Sequence, residues 1–199
     1  MKNLKLALAG LMVVSFAACS SSDPKADNAT VVTKTITGTH TNETFTAGIL
    51  NKKINKGIIN IDSNTKNTKE IKITPDGGKE VDYSIAMEAK DAGVVKNEGT
   101  INLKGSHKVG MVALNGGEAV NNGTIDLTGA EYSIGMYADG KNSRIINNKK
   151  ILLRAQDIAA KGGEDLTGDN ELGKDKSGNI GMKAINHGRI INKGEIIFQ

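Results

Sequence analysis

The sequence predicts an all-β chain wound as a parallel β-helix, a solenoid of about five coils carrying two loop insertions. Three observations predict it. A unit of about 25 residues recurs with its parts in fixed order. One half reads Asn-x-Gly-Thr-Ile-x-Leu, as in Asn97–Leu103 and Asn121–Leu127, and the other reads Ile/Val-Gly-Met-x-Ala, as in Val109–Ala113 and Ile134–Ala138. Inside each half apolar residues alternate with others at the strand period of two. The period is also too short for a strand–helix–strand unit, which needs roughly 30 residues. Composition agrees: aromatics are 3% and Trp is absent, so Ile, Val, Leu, Met and Ala must fill the core, while 24 Gly against 2 Pro suits many tight turns.

Taken in order, residues 1–18 read as a secretion signal. Lys2 and Lys5 supply its positive start, and Leu6–Ala18 is apolar but too short to span a bilayer. The end of the segment, Phe16-Ala17-Ala18-Cys19 followed by Ser20-Ser21-Ser22, resembles a bacterial lipobox. That resemblance implies cleavage before Cys19, its acylation, and, with Ser20 next, sorting to the outer membrane. Cys19 is the single cysteine, so an internal disulfide is excluded. More than one acyl chain gives stable anchoring. Loss of Lys2 and Lys5 lowers the formal charge from +4 to about +2, a balance that does not point to nucleic acid.

Residues 19–42 read as the lipidated cysteine and a tether that passes into a first strand near Thr30–Thr37, and residues 43–199 read as the repeat domain. Further copies of the first half are Asn55–Ile61, Asn147–Leu153 and Asn192–Phe198, and of the second half Ile85–Ala89 and Ile180–Ala184. Insertions fall at about 62–83, with the turn signal Thr74-Pro75-Asp76-Gly77-Gly78, and at about 154–179, which is charged and Gly-rich.

Stacked coils place each strand about 4.8 Å from its equivalent, so equal residues land on equal residues. Ile101, Ile125, Ile151 and Ile196 are expected to form one internal ladder, and Met87, Met111, Met136 and Met182 a second. Val109, Met111 and Ala113 are expected to share the buried face, and the residues after each Met (Glu88, Val112, Tyr137, Lys183) the wet face. Asn55, Asn97, Asn121, Asn147 and Asn192 are expected to stack at a corner and hydrogen-bond along the axis. The glycine two residues later is expected to supply a positive φ there, with Lys149 the departure from the pattern. The last strand, Glu195–Gln199, has no polar cap after it, which predicts that the terminal coil pairs with something or that the chain is a truncated relative of a longer protein.

Catalytic chemistry is poorly supported. Outward rows on the first strand read Asn60, Asn102, Asp126, Leu152, Ile197 and Ile58, Thr100, Thr124, Lys150, Glu195, so Asp126 lacks an acid partner for glycan cleavage. His40, His107 and His187 lack metal-ligand spacing and are expected at surface turns. A methionine row could bind Cu(I), but its place in apolar strands makes it core. Asp165, Asp169, Glu171 and Asp175 do not match a calcium-loop pattern, and Lys161, Lys174 and Lys176 interleave with them. No cofactor is expected.

The ordered motif Asn-x-Gly-Thr-Ile-x-Leu…Gly-Met-x-Ala, over about Asn55–Phe198, resembles the passenger repeats of large autotransporter adhesins, especially those of fusobacteria. The resemblance implies a right-handed parallel β-helix at the cell surface and a role in adhesion or host interaction. Two departures from that family are expected: a lipobox-like segment in place of the usual signal, and a chain ending at Gln199 without room for a translocator barrel. The expected function is therefore a non-catalytic, lipid-anchored outer-membrane surface protein. Its expected partners are the membrane through the anchor, a host receptor or glycan, and a second copy through the C-terminal coil. The alternatives are a carbohydrate-active β-helix enzyme with its site in the inserted loops, or a passenger remnant serving only as scaffold.

Overall fold

A computed structural model describes residues 13–15, 30–62, 68–74, 79–154, 164–167, 169–175 and 177–199. Cys19, most of residues 1–18, the segment 20–29, the turn residues 75–78, Lys161 and Lys176 lie outside the described residues. The described chain is all-β, and no helix in it is long and apolar enough to cross a membrane.

Strand β1 (Val13–Ser15) pairs antiparallel with β2. The winding then runs β2 (Thr30–Ile36), β3 (Thr39–Thr41), β4 (Phe45–Ala47), and next β5 (Asn51–Asn55), β6 (Ile58–Ile61), β7 (Lys69–Ile73), β8 (Val81–Lys90). It continues through β9 (Val94–Asn97), β10 (Thr100–Ser106), β11 (Lys108–Leu114), and β12 (Glu118–Asn121), β13 (Thr124–Glu131), β14 (Ile134–Asp139). Then come β15 (Arg144–Asn147), β16 (Lys150–Leu153), β17 (Glu164–Thr167), β18 (Asn170–Lys174), β19 (Ile180–Ile185), and last β20 (Arg189–Asn192) and β21 (Glu195–Phe198). Three sheets result, ordered β1-β2-β5-β9-β12-β15-β20-β17, β21-β16-β13-β10-β6-β3 and β18-β19-β14-β11-β8-β4. Within each, strands from successive windings pair parallel and in register, and the antiparallel pairings are those made by β1, β7, β17 and β18. The protein is a parallel β-helix.

The winding begins before residue 43: β2 pairs in register with β5, and β3 with β6. The first winding carries Ile36-Thr37-Gly38 where the next carries Asn55-Lys56-Gly57, so the missing asparagine keeps the motif from announcing it. His40 stands in that winding opposite Ile59, in the isoleucine column and not at a turn, with its ring edge-on to Phe45 at 5.1 Å. Its nitrogens meet Glu43 Oε2 at 2.8 Å and the Thr37 carbonyl at 2.9 Å. Lys53 likewise occupies the column of Val95, with Lys34 beside it. Burial, then the Lys34 charge, lowers the Lys53 pKa. Polar side chains thus close the open end of an otherwise apolar tube, as solenoid ends require.

At the other end, β17 pairs antiparallel with β20, and β18 with β19. The strands flanking the last coil come from within the chain and not from after it. The segment preceding β19 is long enough to fold back over two of the three sheets, while β21 stays at the edge of its own.

The interior holds Ile59, Ile101, Ile125, Ile151 and Ile196 in one column and Met87, Met111, Met136 and Met182 in another, all buried. Ala89, Ala113, Ala138 and Ala184 stand in register beside the methionines. The third sheet departs from simple alternation. Ile85, Val109, Ile134 and Ile180 do not join the interior but a second cluster with Val112 and Tyr137. Gly110 is the cause: a Cβ there would lie 2.7 Å from the Gly135 carbonyl oxygen and 2.9 Å from Ile125 Cγ2, so this residue faces inward directly beside Met111. Two consecutive inward positions put Val109 and Met111 on opposite faces. The predicted wet row is also buried, with Glu88 and Val112 at 0%, Tyr137 at 1% and Lys183 at 7% exposure. Glu88 is held by Lys69 Nζ at 2.5 Å and Thr46 Oγ1 at 3.0 Å, which is how a carboxylate tolerates that position.

The corner asparagines make a continuous ladder. Nδ2 of Asn55, Asn97, Asn121 and Asn147 donates to Oδ1 of the next at 2.8, 2.8, 2.9 and 2.9 Å, ending on Asn192. The glycines that follow do not have positive φ. They are needed because the next coil passes too close: a Cβ on Gly57, Gly99 or Gly123 would lie 2.0 Å from the carbonyl oxygen of Gly38, Gly57 or Gly99.

Candidate functional site

The outer face of the third sheet gathers this chain's tyrosines, while Phe45 and Phe198 pack against the interior. All three tyrosines, Tyr83, Tyr132 and Tyr137, stand on it. The hairpin of β7 and β8 sets Ile71 opposite Tyr83 and Ile73 opposite Val81, and these join the second apolar cluster. A cleft of about 210 Å³ opens there, floored by Ile73, Ile134 and Ile180, walled by Tyr83, His107 and Tyr132, and rimmed by Lys174 and Lys183.

Its rings form a column across successive windings. Tyr83 and His107 meet edge-on at 5.2 Å, and His107 and Tyr132 stack at 6.0 Å with 17° between planes. Gly178 continues the column: a Cβ on it would meet the Tyr132 ring at 2.6 Å. Tyr83 and Ile180 are buried, whereas Tyr132 is 58% exposed, so the column runs from core to solvent.

A buried polar network fixes the segment that carries Gly178. Asp175 accepts from the Asn179 amide N–H at 2.9 Å, Asn179 Nδ2 at 2.9 Å and the Arg154 N–H at 3.1 Å. Asn179 Nδ2 also donates to the Ala130 carbonyl at 2.8 Å, and its Oδ1 accepts from the Ser133 N–H at 3.0 Å. Tyr132 N–H in turn reaches the Ser177 carbonyl at 2.9 Å. The rim is fixed by Glu171, which receives Lys183 Nζ at 2.6 Å and lies 3.7 Å from Lys174 Nζ. Burial raises the Tyr83 pKa, and burial, the Asp139 charge and a hydrogen bond to Asp139 raise that of Tyr137. Both phenols are therefore hydrogen-bond donors at neutral pH. Beside the cleft, Lys108 is buried with Nζ 3.4 Å from Ser84 Oγ; burial lowers its pKa, opposed by the charges of Glu70 and Asp62.

Chemically, this arrangement offers the exposed part of the Tyr132 ring, an apolar floor and the Lys174 cation beside the Glu171–Lys183 ion pair, a means of gripping a small amphipathic group. Of the residues singled out from sequence, His107, Lys174 and Lys183 line the cleft, His107 at a turn with φ 57°, and the others are elsewhere. The Asn and Met columns are internal. Asp126 accepts from its own turn, from Thr128 N–H and Oγ1 at 2.8 and 2.7 Å. Of the second-insertion acids, Asp175 and Glu171 are engaged as above and Asp169 accepts from the Asn186 N–H at 2.8 Å; Asp165 lies on β17, whose side chains are outside the description. Among the described residues no three His, Cys, Asp or Glu side chains gather as a metal site. His187 sits at an exposed turn with φ 67°. The aromatic column was legible in principle: Tyr83, His107 and Tyr132 are 24 and 25 residues apart, the repeat period itself.

The family model of the BigA third pectate lyase-like domain matches residues 19–122, just over half of the chain. The chain belongs to this family. No curated protein and no solved structure matches it. The span shared with the BigA-type domain contains Asn55, Asn97 and Asn121 of the ladder and Tyr83 and His107 of the cleft. Tyr132, Gly178 and the lysine rim lie beyond it, so the cleft is completed by residues outside the BigA-type match.

Proposed function

We propose that this chain is a non-catalytic, lipid-anchored protein of the outer-membrane surface, a passenger-type β-helix that adheres to a host receptor or glycan through the outer face of its third sheet. The match to a BigA domain supports the passenger-type, adhesin-like reading. The observation that carries it is the aromatic and lysine-rimmed cleft, whose described lining contains no carboxylate. Contact with the exposed Tyr132 ring and a hydrogen bond from Lys174 suit a sugar ring or a similar amphipathic group. In this reading residues 1–18 are removed, Cys19 is acylated, and the residues up to β2 tether a right-handed helix of about five coils to the membrane.

Two results are expected. On an array of host-cell glycans the full chain binds, and Tyr132→Ala weakens that binding about tenfold while leaving the melting temperature unchanged, because Tyr132 is exposed. Equal binding by the variant would remove the cleft from the proposal, and shortening of a bound glycan would favour the lyase or hydrolase reading. In cells fed an alkyne-tagged fatty acid, the wild-type chain takes up label and partitions into detergent, and Cys19→Ala does neither. Labelling that survives the substitution rules out anchoring at this residue.

A further inference from the structure

A second concavity, remote from the aromatic cleft in its lining, lies at the turns joining the third sheet to the first. It encloses about 700 Å³ and is lined by Lys141, Asn142, Ser143, Arg144, His187 and Arg189. Among these described residues three carry fixed positive charge and none is acidic. We infer that this pocket binds an anionic glycan, one carrying sulfate or carboxylate groups along an oligosaccharide.

The fold arranges the cations as a regular set. Arg144 and Arg189 stand in register on adjacent parallel strands, one coil rise of about 4.8 Å apart. Planar guanidiniums grip oxyanions through two parallel N–H bonds, and a row of them suits charges repeated along a chain. Two described carboxylates near the pocket are engaged elsewhere. Asp139 accepts from Asn186 Nδ2 at 2.8 Å, and Asp169 from the Asn186 N–H at 2.8 Å. Glu118 pairs with Nε of Arg144 and so competes with a ligand for that guanidinium. Ser143 pins the turn, its Oγ donating to the Asp139 carbonyl at 2.7 Å and accepting from Gly116 N–H at 3.0 Å. The cavity volume falls in the range of small-ligand sites. The tyrosines lie on another face, so the base-stacking platform of single-stranded nucleic-acid binders is absent from this lining.

The test is surface plasmon resonance on the full chain with three probes: a sulfated hexasaccharide, the same sugar desulfated, and a single-stranded DNA of equal charge. Saturable binding of the sulfated probe is expected, weaker by about tenfold after desulfation and with DNA. Lys141→Gln with Arg189→Gln lowers affinity at least about tenfold, whereas Lys79→Gln with Lys104→Gln, the same charge change elsewhere, leaves it within about twofold. Glu118→Gln, which frees Arg144 from a competing carboxylate, raises affinity about threefold, a change that misfolding cannot produce. No binding of the sulfated probe, equal binding of the desulfated sugar or DNA, or equal loss in both double variants overturns the inference.

Discussion

Replacing Asn121 by alanine lowers stability by about 4 kcal/mol. Asn121 is fully buried in the middle of the ladder. Its Oδ1 accepts from Asn97 Nδ2 at 2.8 Å, and its Nδ2 donates to Asn147 Oδ1 at 2.9 Å and the Lys150 carbonyl at 3.1 Å. Its Oδ1 also accepts from the Gly123 N–H at 3.2 Å, so the residue shapes its own corner. Alanine strips one of two hydrogen bonds from Asn97 Nδ2, which keeps the Thr124 carbonyl at 3.2 Å, and from Asn147 Oδ1, which keeps the Lys149 N–H at 3.4 Å, and it removes the acceptor of the buried Gly123 N–H; each loss costs about 1–3 kcal/mol. Urea titration followed by circular dichroism measures the loss. Asn148→Ala is the comparison: Asn148 reaches Asn122 in an exposed pair at 2.8 Å, and its removal costs below about 0.5 kcal/mol. Equal midpoints for the two variants would mean that the internal ladder contributes no more than a surface contact.

Gly123→Ala costs about 3 kcal/mol for a different reason. The new methyl would lie 2.0 Å from the Gly99 carbonyl oxygen, so neighbouring coils must separate at that corner. Lys149, the one side chain in this column, loosens its own corner, while the coil-to-coil contact of Asn121 with Asn147 stays at 2.9 Å. The Lys149 N–H lies 3.4 Å from the corner asparagine, against 3.0 Å at Gly57 and 3.2 Å at Gly123. Gly38→Ala separates the steric effect from the conformational one. Gly38 has φ 82° but open space around its Cβ position, so it incurs only the cost of a left-handed backbone, about 1 kcal/mol. Thermal melts of both variants check the order; a larger loss at Gly38 would show that φ and not coil spacing selects glycine at these corners.

The two glycine cases show how far the sequence could be read. Recurrence of Gly57, Gly99 and Gly123 marked a position intolerant of a side chain, but recurrence carries no information about which force excludes one. Val109 shows the same limit. Period-two alternation assigned it to the inside with Met111, and the inward-facing Gly110 between them moved it outside. A side-chain pattern cannot register a backbone that places two neighbours on one face. Among the candidate site residues, Tyr83, His107 and Tyr132 shared the repeat period but differed in type, so a search for identical residues passed over them. Gly178 and Lys174 come from the second insertion, which has no period to read.

The winding, the isoleucine and methionine columns and the asparagine ladder follow from the repeat alone. In a stacked coil, residues one period apart become neighbours about 4.8 Å away, so translation along the chain is translation along the axis. What covers the outside is set by tertiary contacts that the repeat does not encode. The hairpin of β7 on β8, the antiparallel strands β17 and β18, and the turn pinned by Asp175 and Asn179 are aperiodic, and their places depend on which faces the windings leave apolar. The interior repeats and so was legible, whereas the aromatic cleft and the arginine-lined pocket draw on contacts between segments with no common spacing.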